Sequence, residues 1–167
     1  MKSESKHMGN APAVQTPAPH ALGAVALVDD DPHVTHALAL WLHILGYACS
    51  LHQTGQSLLD SLQMREGRAW VPVHVQQEAV EGVRLQACAT IAPMVPMVAA
   101  VMDLTLAELD GFELARRLQA LDVGVPLVVI TAALPEELLL YGTLPEGVQS
   151  LRKPFRLEAL EQALRLR

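Results

Sequence analysis

Three stretches of the chain run apolar and then stop on a polar residue. Residues 24–28 (AVALV) end on Asp29 and Asp30, residues 97–102 (MVAAVM) on Asp103, and residues 125–130 (VPLVVI) on Thr131. A weaker stretch, VQSL, leads within two residues to Lys153-Pro154-Phe155. Apolar runs of this length between helical patterns read as buried parallel strands. In open α/β sheets, ligands gather at the carboxyl ends of such strands. Three carboxylates, one hydroxyl and one ammonium are therefore expected on one edge of one sheet. A divalent metal and a phosphoryl group call for that set of side chains.

Length and composition allow this. The chain has 167 residues, enough for one domain with a substantial core plus extra segments. It is 51% hydrophobic with only 4% aromatic residues, which favours an Ala/Leu/Val-packed α/β core over a β-sandwich. A net charge of −6 argues against nonspecific nucleic-acid binding. Cys49 and Cys88 are too few for a disulfide framework and read as free thiols of a reducing cytoplasm. The first 20 residues lack the apolar segment of a signal peptide. Residues 85–102 are nearly all apolar, but they contain Pro93 and Pro96 and run into Asp103. A loop feeding a buried strand is expected there, and no membrane span.

With these residues in this order, the chain resembles the receiver domains of response regulators. The family pattern is an acidic pair after the first strand and an acceptor aspartate after the third. Ser or Thr follows the fourth strand, and Lys-Pro follows the fifth. Here those are Asp29 and Asp30, Asp103, Thr131, and Lys153 with Pro154. Residues 103–114 (DLTLAELDGFEL) are similar to the family's acceptor segment, down to the Asp110-Gly111 that opens the third helix. The resemblance covers residues 23–167, with 1–22 as an Ala/Pro-rich flexible leader whose His7-Met8 could be a cloning scar. It implies a flavodoxin-like, doubly wound α/β fold. The sheet would have five parallel strands in the order 2-1-3-4-5, with helices on both faces.

Sequence signals place the elements. Asp31 can cap a first helix with Pro32 in its first turn, carrying Val34, Ala37, Leu38, Trp41 and Leu45 inward until Gly46 stops it. Residues 47–51 make a second strand, and 56–64 a second helix with Leu58, Leu59 and Leu62. Asp110 caps the third helix, with Phe112, Ala115, Leu118 and Leu121 inward. Residues 135–142 form a short fourth helix that Pro145 cuts off, and 156–166 form the fifth on Leu157, Leu160 and Leu164. Residues 65–96 interrupt the plan with roughly thirty residues beyond an ordinary connection. Val71, Val73 and Val75, then Val83, Leu85, Ala87 and Ala89, alternate on either side of Glu81-Gly82. That pattern predicts a β-hairpin, with a disordered loop as the alternative.

The resemblance implies roles. Asp30, Asp103 and the backbone carbonyl of Thr105 would bind Mg²⁺ directly, and Asp29 through a metal-bound water. Asp103 would be the phosphoacceptor, Lys153 the mobile cation for a phosphoryl oxygen, and Thr131 the hydroxyl donor. A histidine kinase or phosphotransfer protein would be the donor. Output would pass through a partner or self-association and not through direct nucleic-acid contact, because the fifth helix ends at Arg167. A fragment of a larger regulator or hybrid kinase is the other expectation. Ala107 replaces the family's usual Pro, and Ser150 its aromatic reporter. Two rival readings stand beside this one. A phosphatase of the haloacid dehalogenase type uses similar residues, but its acidic pair comes last and its acceptor has a second Asp two residues on, where this chain has Thr105. A scaffold that works without phosphorylation is the other. His33, His36 and His43 share a helix, yet no Cys or acidic partner completes a zinc set, so a solvated or half-buried face is expected.

Overall fold

The computed structural model describes residues 22–73 and 92–165. The elements run in chain order as β1 (Ala24–Val28), α1 (Pro32–Ile44), β2 (Ala48–His52), α2 (Gly55–Ser61), β3 (Gln63–Arg65), β4 (Arg68–Pro72), β5 (Met94–Asp103), α3 (Gly111–Ala120), β6 (Leu127–Thr131), α4 (Pro135–Leu138), β7 (Gln149–Arg152) and α5 (Leu157–Leu164). A 3₁₀ turn, Leu139–Tyr141, follows α4 directly. Five strands are parallel, in the spatial order β2-β1-β5-β6-β7. This is the expected 2-1-3-4-5 order, with an antiparallel pair, β4 and β3, added to the start of β5.

Each central strand is buried on both faces, so its side chains alternate between two cores. Ala24, Ala26 and Val28 of β1 face a cluster with Leu58 of α2 and Phe112, Leu114 and Leu118 of α3. Val25 and Leu27 face Leu38 and Leu42 of α1 and Leu160 and Leu164 of α5. This is why β1 and β6 read as unbroken apolar runs and not as alternating ones. Each large apolar side chain so buried contributes about 1.5–3 kcal/mol. Among the described residues no helix is long and apolar enough to cross a membrane.

Local chemistry sets the helix ends. Asp31 Oδ1 accepts from His33 N at 2.9 Å to cap α1, and Gly46, at φ +90°, ends it. Asp110 Oδ1 caps α3 by accepting from Glu113 N at 2.9 Å. Several expected details differ. The buried face of α1 is Thr35, Leu38, Ala39 and Leu42, and Ala37 is exposed. Leu121 and Leu157 are exposed because they sit at the end of α3 and the start of α5, past the contact with the sheet. The helix expected over 56–64 stops at Ser61, because Leu62 turns extended, with ψ 134°, to enter β3. The fourth helix is a single α turn plus the 3₁₀ turn, short as Pro145 led one to expect.

The inserted segment holds a hairpin that the sequence reading did not single out. It turns at Glu66-Gly67, between the paired Arg65 and Arg68. Both turn residues have positive φ (51° and 70°), the requirement of a two-residue type I′ loop. Ala69, Val71 and Val73 all enter the first core, so this part of the insert helps to build the domain. On the other face the Arg65 guanidinium lies 5.6 Å from the Trp70 ring centre. The Glu81-Gly82 turn and the arm from Val83 to Ala89 lie outside the described residues.

Gly111 fixes how α3 meets the loop after Asp103. A Cβ there would lie 2.6 Å from the Asp103 carbonyl oxygen and 3.0 Å from Leu104 Cα, both backbone atoms that cannot yield cheaply. Gly111→Ala is expected to cost about 1–3 kcal/mol. Gly67→Asn, at an open position where Asn tolerates the left-handed backbone, should cost under about 0.5 kcal/mol. Urea denaturation of both variants checks the contrast.

Candidate functional site

The site is assembled by strand register. Val28 pairs with His52 and with Met102, so Asp29 emerges beside the ends of β2 and β5. Asp103 pairs with Ile130, and Thr131 with Arg152, which brings the remaining ends level. Backbone bonds continue this order past the strands. Asp29 N donates to His52 O at 3.1 Å, Leu104 N to Ile130 O at 2.8 Å, and Lys153 N to Thr131 O at 2.7 Å. The Lys153-Pro154 peptide bond is cis, as the resemblance implied.

Asp29, Asp103 and Thr131 are 4%, 7% and 3% exposed. Lys153 Nζ donates to Asp103 Oδ1 at 2.7 Å and to Asp29 Oδ2 at 3.5 Å. Each carboxylate's second oxygen accepts a backbone N–H. Asp29 Oδ1 accepts from Asp31 N at 2.9 Å, and Asp103 Oδ2 from Thr105 N at 2.8 Å. Thr131 Oγ1 accepts from Ala133 N at 2.9 Å, which leaves its hydroxyl proton to be donated. Asp30 sits at the solvent-exposed mouth. The structure thus joins Asp29, Asp103 and Lys153 directly. Thr131 stands at the adjoining strand end, and Thr105 takes part through its N–H.

The donor chemistry suits a hard divalent cation. Two buried carboxylates converge on one ammonium, and a third carboxylate stands beside them in the chain at the mouth. Among the described residues no three His, Cys, Asp or Glu side chains form a ready-made cage. The charges act on one another. Burial pushes the Asp29 carboxyl above its ordinary value, overcoming the Asp31 N–H bond and the Lys153 charge, and the Asp103 charge adds to the rise. Burial works to lower Lys153, but the hydrogen bond and charge of Asp103, joined by those of Asp29, hold it above its ordinary value. In the core, burial alone pushes Cys49 up to about 12, which leaves it an inert structural thiol.

One cluster escaped the sequence reading. His52, buried at the end of β2, is bracketed by Ser50 Oγ at Nε2 (2.8 Å) and Ser57 Oγ at Nδ1 (3.1 Å). It ties β2 to α2 beside the acidic pair. The available signal was Ser50 and His52 at period two in a strand otherwise buried on that face. His33, His36 and His43 lie on the exposed face of α1, as expected.

Comparison with known proteins gives the class. No family model matches the chain. The transcriptional regulatory protein FixJ of Rhizobium meliloti is 26% identical over 151 residues, covering 83% of this chain and 55% of that protein. The C4-dicarboxylate transport transcriptional regulatory protein DctD of Pseudomonas aeruginosa is 26% identical over 149 residues, covering 84% of this chain and 24% of that one. The chain therefore spans about half of one curated relative and a quarter of the other. Among solved structures, the BeF3-activated DrrB receiver domain superposes with a TM-score of 0.58 at 19% identity, covering 86% of this chain and 95% of that one. The receiver domain of the sensor histidine kinase PA1611 of Pseudomonas aeruginosa, described with magnesium in its active-site cleft, superposes with a TM-score of 0.56 at 24% identity, covering 87% and 96%. The fold is that of the response regulator receiver domain of two-component signalling.

The Asp29 shift makes a pH prediction. A native carboxyl with a raised pKa costs stability once ionised, and the cost disappears as pH falls below the unfolded value of 3.8. Asp29→Asn should therefore raise the urea midpoint at about pH 7. The gain should close as pH is lowered into the ordinary carboxylate range. A variant less stable than the wild type at neutral pH would contradict this sign.

Proposed function

We propose that the chain is a phosphorylation-controlled binding switch, with Asp103 as its acceptor. The observation that carries this is the single ammonium of Lys153 held between Asp103 and Asp29. The ammonium fixes the acceptor carboxylate at the strand end where an incoming phosphorus atom would meet it. The donor is a phosphohistidine on a histidine kinase or phosphotransfer protein. An Asp103 carboxylate oxygen attacks phosphorus, the P–N bond breaks, and the product is an acyl phosphate. A bound Mg²⁺, held by Asp29, Asp30, Asp103 and the Thr105 carbonyl, would neutralise the charge that builds on the phosphoryl oxygens. Lys153 stays on the acceptor side as a mobile cation for one phosphoryl oxygen, and the Thr131 hydroxyl donates to another. The setting is cytoplasmic, and the output is a change in protein contacts.

The acyl phosphate should be long-lived. Thr105 and Ala133 stand two residues past the acceptor and past Thr131, and they line one cavity of about 360 Å³. Neither offers a carboxylate or carboxamide to orient an attacking water.

Two outcomes follow. Acetyl phosphate or phosphoramidate should add one phosphoryl group in intact-mass spectra. EDTA and Asp103→Asn should each abolish it, whereas label persisting in Asp103→Asn would sink the assignment. Ala133→Glu or Thr105→Asn should shorten the acyl-phosphate half-life by about tenfold or more, at the low end of general-base effects. Unchanged decay in both would refute the account of lifetime.

A further inference from the structure

We infer that the cavity between the inserted hairpin and the loop before β6 is a small-molecule site for an apolar carboxylic acid, its carboxylate held by Arg68. The cavity lies along the amino half of β5, away from Asp103 at that strand's carboxyl end. It measures about 430 Å³, and its walls include Ala69, Met97, Val98, Val123 and Val125. Its origin is an interval in the strand pairing. β4 accompanies β5 as far as Trp70 beside Pro96, and β6 takes up the pairing only at Leu127 beside Ala100. Met97 and Val98 fall in that interval. Met97 is partnered by Ala24 of β1, whereas Val98 is skipped by the register shift between Ala24 and Val25. The cavity takes up room that an unbroken neighbouring strand would fill.

The walls ask for an apolar body. Ala69, Met97 and Val123 are buried members of the first core, so packing fixes their positions without a ligand. Pro96 and Pro126 also line the cavity, and neither has a backbone N–H to offer. The Pro126 carbonyl is already taken, accepting from Ala100 N at 3.0 Å. A concave, preformed and mostly apolar hollow of this size is the ordinary form of a small-ligand site, in which a few polar groups fix orientation.

Charge selects the rest of the ligand. Arg68 is the single polar side chain among the lining residues. Among the described residues it has no carboxylate partner, in contrast to Arg116, Arg117 and Lys153. A guanidinium matches a carboxylate as a bidentate fork, and apolar walls strengthen such a pair by keeping water away. The nearby acids stand elsewhere. Asp122 lines an adjoining hollow of about 250 Å³, and Glu66 sits in the hairpin turn. Arg65, opposite Arg68 in the hairpin, is engaged with the Trp70 ring and does not line the cavity. An amine would meet the Arg68 charge, and an alcohol would leave the guanidinium without an anion. Arg68 and Ala69 both belong to the inserted segment, so this site is independent of the phosphoacceptor chemistry.

The test uses the full chain and octanoate, followed by titration calorimetry and by methyl shifts in NMR spectra. Saturable one-to-one binding is expected, with the largest shifts at Val98, Val123 and Val125. Octanol and octylamine should bind about tenfold more weakly or worse. Arg68→Met keeps the apolar stem and removes the charge. It should weaken octanoate about tenfold and erase its advantage over octanol, and Arg68→Lys should recover part of the loss. Arg65→Met, on the paired strand, should leave binding unchanged. Both arginines are exposed, so these variants should keep the wild-type urea midpoint. If Arg68→Met nonetheless melts early, Val125→Trp decides, since it should block octanoate by filling the cavity from its half-buried wall. No saturable binding, or octanoate held as tightly by folded Arg68→Met as by the wild type, overturns the inference. Shifts confined to another face do the same. So does an apolar acidic peptide that binds here when octanoate does not, since the occupant would then be a protein. If Asp103 takes no phosphoryl group while octanoate still binds through Arg68, the switch reading falls and this site stands.

Discussion

One ammonium organises this molecule. Lys153 Nζ lies 2.7 Å from Asp103 and 3.5 Å from Asp29, joining chain positions 50 and 124 residues apart. Two carboxylates this deeply buried repel each other and resent the loss of water. The cation makes their approach tolerable, and only strand ends held level can deliver it. The Lys153 N–H bond to the Thr131 carbonyl supplies that level on the β7 side, as the Asp29 bond to His52 does on the β2 side. A single-residue slip in β5 or β6 would turn Asp103 or Thr131 to the wrong face and dissolve the site.

The two cores serve this edge. β1 and β6 are apolar on both faces because helices cover both, and their polar residues are confined to the last position and the turn beyond. Cohesion and chemistry are thereby separated along each strand. The hairpin of β3 and β4 works at the opposite end. By sending Ala69, Val71 and Val73 into the first core, it lengthens β5 into a ten-residue strand and thickens the amino edge of the sheet. The insert is thus partly structural, and removing it whole would open the core.

The segment from Ala132 to Gly147 has the opposite character. It buries little, is held by a few hydrogen bonds, and borders the strand ends that carry Asp103 and Thr131. Segments with few buried apolar contacts occupy the low-stability end of a fold, where responsive elements are found.

Much of this was legible without coordinates. The apolar runs, their polar endings, Asp31 and Asp110 as caps, and Gly46 as a stop are local facts. Backbone sterics and hydrogen-bonding capacity act within a few residues, so a sequence records them. The parallel order of the five core strands was implied by resemblance and is now seen in the pairing. What stayed hidden depends on partners distant in the chain. Ala37 and Leu121 looked inward by period, but the sheet covers the Thr35, Leu38, Ala39 and Leu42 stripe of α1, and Leu121 lies past the end of α3. The turn at Glu66-Gly67 was passed over because its strands are short and become visible only through their pairing with each other and with β5. Ser50, His52 and Ser57 became a cluster only when β2 and α2 packed together. The sequence by itself determined which groups stand at the strand ends, because strand length and polarity are written locally. The tertiary structure alone decided that Lys153 holds Asp29 and Asp103 at once, because that contact exists only when three strand ends share one edge.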